Sequence, residues 1–218
     1  RYCLAPRSGQ RGRAEPAIAA DWAAPVTARV SLRAAVRLGA AVLLTSCAAP
    51  PLVLYTLDAP DTGPGAAALS RKALVIEVTR VSLPDELDSQ DIQVRRGSVL
   101  QASHQGRWAS RLSVGATGLL TGRLARRRPD ALVTDQPQAG TPSYRIMVNI
   151  SRLDVTGDGV AVLEADWQVV PGNPAVPARR DRASLRATGP VAADREVVAL
   201  ISAVLGQLAD RIDVAALR

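Results

Sequence analysis

The chain has 218 residues, 47% of them hydrophobic and 22% charged, which is the composition of one globular domain with a tail. Aromatic residues make up 3%, with no Phe, one His and two Cys, so base-stacking platforms, disulfide frameworks and His- or Cys-rich metal centres lack their raw material. The net charge of +7 is concentrated at the start: seven basic residues against two acidic ones precede Cys47, and 20 against 18 follow it, which removes the main support for nucleic-acid binding.

Residues 1–29 show no periodic pattern, and the chain opens on Arg; this stretch reads as upstream translation, with the true start near Val30. From Val30 the text is VSLRAAVRLGAAVLLTSC: Arg33 and Arg37 form a positive region, 38–44 an apolar one, and small residues follow. Leu44-Thr45-Ser46-Cys47 resembles the bacterial lipobox, which implies cleavage after Ser46, a thioether-linked diacylglycerol on Cys47 and acylation of the new amine. A transmembrane helix over 38–57 is the competing reading, because the stretch has no charge; Pro50 and Pro51 would break it. The domain plan is therefore a leader over 1–46, a lipidated tether over 47–72 and a folded domain over 73–218.

The tether is rich in Ala, Pro and Gly, with one ordered-looking piece at 52–57. A strand is predicted over 73–81, apolar on both faces and hence central, and ended by Pro84. Short strands at 92–96 and 99–102 form a hairpin about Arg96-Gly97. Trp108 is expected to open a helix to about Arg126, since Leu112, Ala116, Leu119, Leu120 and Leu124 share one face. A short strand at 131–134 precedes alternating runs at 144–150, 161–169 and 183–187, an antiparallel meander turning at Thr156-Gly157-Asp158-Gly159. A last helix is expected over 194–213, with Asp194 as its N-cap and Val197, Ile201, Val204, Leu205, Leu208 and Ile212 on one face. The fold class is α/β: one compact domain, a mixed or antiparallel sheet covered by two main helices.

Motifs for chemistry are weak. Arg111-Leu112-Ser113-Val114-Gly115 lacks the first Gly of a nucleophile elbow. His104 lies in a polar stretch without a thiol to activate, and reads as a solvated loop residue. Asp154 to Gly159 imitates the start of a calcium loop, but Ala165 stands where the bidentate Glu belongs, so a hairpin turn is the better account. Arg126-Arg127-Arg128 could grip phosphates; the plainer reading is solvated cations at the negative end of a helix dipole. No catalytic residue, metal site or cofactor is predicted.

The order of features nevertheless resembles the ABC-type transport auxiliary lipoproteins, the PqiC/YmbA-like family. The likeness rests on the lipobox, then Tyr55-Thr56-Leu57, Pro84-Asp85-Glu86-Leu87, Trp108-Ala109 and a closing Asp166-Trp167. Leu54 stands where many members carry a second Tyr, so a tyrosine-pair role is not carried over. The resemblance implies a non-enzymatic, lipid-anchored component on the periplasmic face of the outer membrane. Its implied partners are an MCE-type periplasmic or inner-membrane transport protein and outer-membrane lipid through the acyl anchor, with room for a homo-oligomer and no nucleic acid. A structural envelope lipoprotein without a transport role is the alternative. Tyr55 and Leu57 become the candidate partner contacts, Tyr55 standing between tether and domain where it need not support the core, while Trp108 and Trp167 are expected as core anchors.

Overall fold

The computed structural model describes residues 51–57, 68–214 and 217; Cys47, the leader and the Pro/Gly stretch at 60–65 lie outside the described residues. The described elements are β1 (Val53–Tyr55), β2 (Val75–Val78), β3 (Asp91–Arg96), β4 (Val99–Trp108), α1 (Leu112–Arg127), β5 (Leu132–Thr134), β6 (Tyr144–Val155), β7 (Val160–Pro171), β8 (Arg179–Thr188) and α2 (Asp194–Arg211).

The five-stranded sheet has the order β5-β2-β6-β7-β8. β2 lies between β5 and β6, parallel to both, and is central as expected, with Ile76 and Val78 buried on one face and Val75 beside Glu77 on the other. It is shorter than predicted. Beyond Val78 the chain still follows β6, with the Thr79 and Ser82 N–H groups donating to the Ile146 and Val148 carbonyls, but Val81 N–H turns to Thr117 Oγ1 at 3.0 Å. The meander is antiparallel and runs longer than its alternation suggests, because β6 continues through a register shift at Ile150/Arg152. Gly159 at φ +82° closes the β6–β7 turn, as the hairpin reading expects. β8 forms one edge of this sheet, and its exposed Arg180, Arg182 and Arg186 discourage strand addition.

Both helices bury leucine-rich stripes in the same core as Ile146, Val148, Ile150, Leu163 and Trp167. Val204, Leu205, Leu208 and Ile212 of the C-terminal stripe are each 0% exposed, and such side chains contribute about 1.5–3 kcal/mol apiece. α2 starts one residue earlier than the cap reading places it: Ala193, not Asp194, is the N-cap, and Glu196 accepts its N–H at 3.0 Å. Trp108 is buried, as expected of an anchor, but it ends β4 instead of opening α1. Its N–H donates to the Gln90 carbonyl at 2.7 Å, and the helix begins only at Leu112.

In the arginine run at the end of α1, Arg126 is exposed, whereas Arg127 and Arg128 fit neither of the two readings. Arg127 Nη1 donates to the Ala209 carbonyl at 2.7 Å and the Ile212 carbonyl at 3.2 Å, and Arg128 Nη1 to Val214 and Leu217 at 2.7 and 3.0 Å. These guanidinium groups satisfy carbonyls that the end of α2 leaves without helical partners. Asp130 in turn grips Arg128 through both carboxylate oxygens, at 2.9 and 2.8 Å.

Candidate functional site

The smaller sheet, β1-β4-β3, carries the site. Val53, Leu54 and Tyr55 run parallel to Gly106, Arg107 and Trp108, and Ala109 N–H donates to the Tyr55 carbonyl at 2.8 Å. The ordered-looking piece of the tether is thus a strand of the folded body, which begins well before residue 73. It is an edge strand with an apolar surface: Leu52, Val53 and Leu54 are 55%, 44% and 59% exposed. Tyr55 is half-buried and packs against the core, so it does support the fold, contrary to expectation.

Leu57 turns fully inward and is buried. Its carbonyl accepts the Ser202 hydroxyl of α2 at 2.9 Å, and a Cβ placed on Gly115 would stand 3.1 Å from its Cδ1. Leu57 therefore lies on bare α1 backbone, and an exposed contact is not open to it. It lines the inside of a groove.

That groove has a volume of ≈ 470 Å³ and lies between the β1 end and one flank of α1. Tyr55, Thr56 and Trp108 form one wall; Arg111, Gly115, Gly118, Gly122 and Arg126 follow the helix along the other. Three glycines on one helix flank cost about 1 kcal/mol each in helix propensity relative to Ala, and here they hollow the surface. At Gly118 the space is open, with nothing within 4 Å of the point a Cβ would occupy. Sequence reasoning followed the leucine stripe of α1 and missed this second stripe beside it; the Gly115, Gly118, Gly122 spacing was the available signal.

At the start of α1, Asp88 receives the Ser113 N–H at 3.0 Å and faces Arg111 Nη1 at 3.4 Å. Burial works to raise its pKa, but the Ser113 N–H and the Arg111 charge outweigh it and hold the carboxyl below its ordinary value. A carboxylate from a distant loop thus replaces the local cap that α1 lacks.

The remaining motif residues are placed without a reactive arrangement. His104 stands exposed on β4, not in a loop. Ser103 Oγ donates straight to Asp194 Oδ2 at 2.8 Å, so no imidazole intervenes between them. Asp154 is buried and takes Arg95 Nε and Arg152 Nε at 2.7 and 2.8 Å, which occupies the carboxylate a calcium loop would need. Among the described residues no group of His, Cys, Asp and Glu could hold a metal ion, and no helix is long and apolar enough to cross a membrane.

A family model described as the ABC-type transport auxiliary lipoprotein component matches residues 55–213. No curated protein matches the chain. Among solved structures, an uncharacterized protein superposes with TM-score 0.60 at 17% identity, over 75% of this chain and 97% of its own. A protein of Xanthomonas campestris gives TM-score 0.50 at 15% identity, over 72% of this chain and 90% of its own. At such identities these two establish a shared fold. The family match spans both sheets, both helices and the groove, and the chain belongs to the ABC-type transport auxiliary lipoprotein family.

Proposed function

We propose that this protein is the lipid-anchored auxiliary component of an MCE-type lipid transport system, held by acylated Cys47 on the periplasmic face of the outer membrane. There it docks the distal end of the transport conduit and supports membrane integrity; the role calls for binding, not catalysis. The observation that carries the reading is the family match, which begins at Tyr55, eight residues after the lipobox cysteine. The residue after Cys47 is Ala48 and not Asp, the residue that in enteric bacteria commonly retains a lipoprotein at the inner membrane. The apolar edge Leu52-Val53-Leu54, with Tyr55 at its end, supplies the docking surface.

Membrane fractionation and co-purification test the two halves separately. Wild type is expected in the outer-membrane fraction with an MCE-type protein attached, and Cys47→Ser in the soluble fraction. Recovery of wild type in the inner membrane, or of Cys47→Ser in carbonate-resistant membranes, would overturn the anchor. Purification of the membrane-extracted wild type without any MCE-type protein would overturn the docking.

A further inference from the structure

We propose that the groove beside β1 binds one acyl chain of a membrane phospholipid, an inference that rests on the lipid-anchored reading above. Its floor is apolar: Leu57, Leu112, Leu119 and Trp108 are buried around it, and Gly118 exposes helix backbone whose polar groups are already engaged within α1. Hydrocarbon gains most from covering such a floor.

Shape and position support the same ligand. A helix rises about 1.5 Å per residue, so the lining from Arg111 to Arg126 extends about 22 Å. The chains of one leaflet occupy half of a hydrocarbon core about 30 Å thick, or roughly 15 Å. The groove is long enough for one of them. Extended chain covers at most about 3.6 Å per residue, so Tyr55 stays within about 29 Å of the Cys47 sulfur anchor, close to the bilayer from which a lipid would come. The protein's own acyl chains hold it more firmly the more of them stay in that bilayer. A free phospholipid takes the groove without withdrawing any of them. Bound there, its chain would lie beside the exposed edge of β1, where a conduit protein could take it or deliver it.

The test uses the full chain carrying Cys47→Ser, with dansyl-undecanoate as the acyl probe and fluorescence enhancement as the readout. Saturable binding is expected, weakened at least tenfold by Gly118→Leu and displaced by phosphatidylglycerol vesicles. Gly118→Leu fills open space on an exposed helix position and raises helix propensity, so its melting temperature should equal or exceed that of the parent. Absence of saturable binding, or binding that Gly118→Leu leaves unchanged, overturns the site. Lipidated wild type should also bind the probe; if it does not while Cys47→Ser does, the protein's own anchor fills the groove and the phospholipid assignment is wrong. Failure here with an intact partner complex would leave the docking reading standing, and the reverse holds equally.

Discussion

Arg95 Nε donates to Asp154 Oδ1 at 2.7 Å, and this bond ties the three-stranded sheet to the five-stranded one. Arg152 holds the other carboxylate oxygen at 2.8 Å, and Gly157 N–H donates to the Arg95 carbonyl at 3.1 Å beside it. The sheet that carries the groove is thereby fixed to the long β6–β7 hairpin by a buried carboxylate between two guanidinium groups.

Burial pushes the Asp154 carboxyl upward, but its bonds to Arg152 and Arg95 prevail and lower its pKa below the ordinary 3.8. A depressed folded value means that the bond stabilises the protein above the unfolded pKa and that this contribution fades as pH falls through the folded one. Both arginines are partly exposed, so Asp154→Asn should cost about 1–2 kcal/mol at neutral pH. Denaturant titration of both proteins at pH 7 and pH 3 should show that gap shrinking in acid. A gap that stays constant would mean the carboxylate charge contributes nothing.

Arg128 reaches across from α1 to two carbonyls beyond the end of α2. Hydrogen bonds to charged groups are worth about 1.5–3 kcal/mol, so Arg128→Ala should lower stability by that amount, whereas Arg182→Ala on the exposed edge strand should stay within about 0.5 kcal/mol. Equal melting temperatures for the two variants would refute a capping role for the arginine run.

Gly106 sits opposite Asp194, and a Cβ there would stand 2.7 Å from Asp194 Cγ. Ser103 forms the bulge that makes this approach possible, accepting the Gly106 N–H at 3.0 Å while donating to Asp194. Gly106→Ala is expected to destabilise by about 1–3 kcal/mol through overpacking. Adding Asp194→Ala should recover part of the loss in a double-mutant cycle. Strict additivity of the two changes would show that the contact is not the cause.

Leu205 of α2 is 0% exposed in the core, so Leu205→Ala should cost about 2–5 kcal/mol. Thermal melts of the purified protein check this, and a loss under about 1 kcal/mol would place the residue outside the tightly packed core.

The meander and both helices were legible because their burial follows simple periods: two for Ile146, Val148 and Ile150, and three to four for Leu112, Ala116, Leu119 and Leu120. The rest depended on contacts between distant segments. β4 could not be followed past Ala102, since Ser103 to Gly106 form a bulge without alternation, and Trp108 therefore looked like a helix start. Leu52 to Leu57 looked like part of a tether because three strand residues are too few to carry a period, and their pairing partner lies more than fifty residues on. The groove needed both facts at once. Its glycines were visible, but which surface they hollowed depended on where Leu57 came to rest.

The proposed docking sets the β1 edge against a conduit protein at the membrane, and the 59% exposed Leu54 gives the most direct access to it. A photoreactive amino acid introduced at Leu54 in living cells should, on illumination, form an adduct with an MCE-type transport protein, and the same group at Arg182 should not. No such adduct from Leu54, together with one from Arg182, would contradict docking through β1 and move the interface to the β8 edge of the five-stranded sheet.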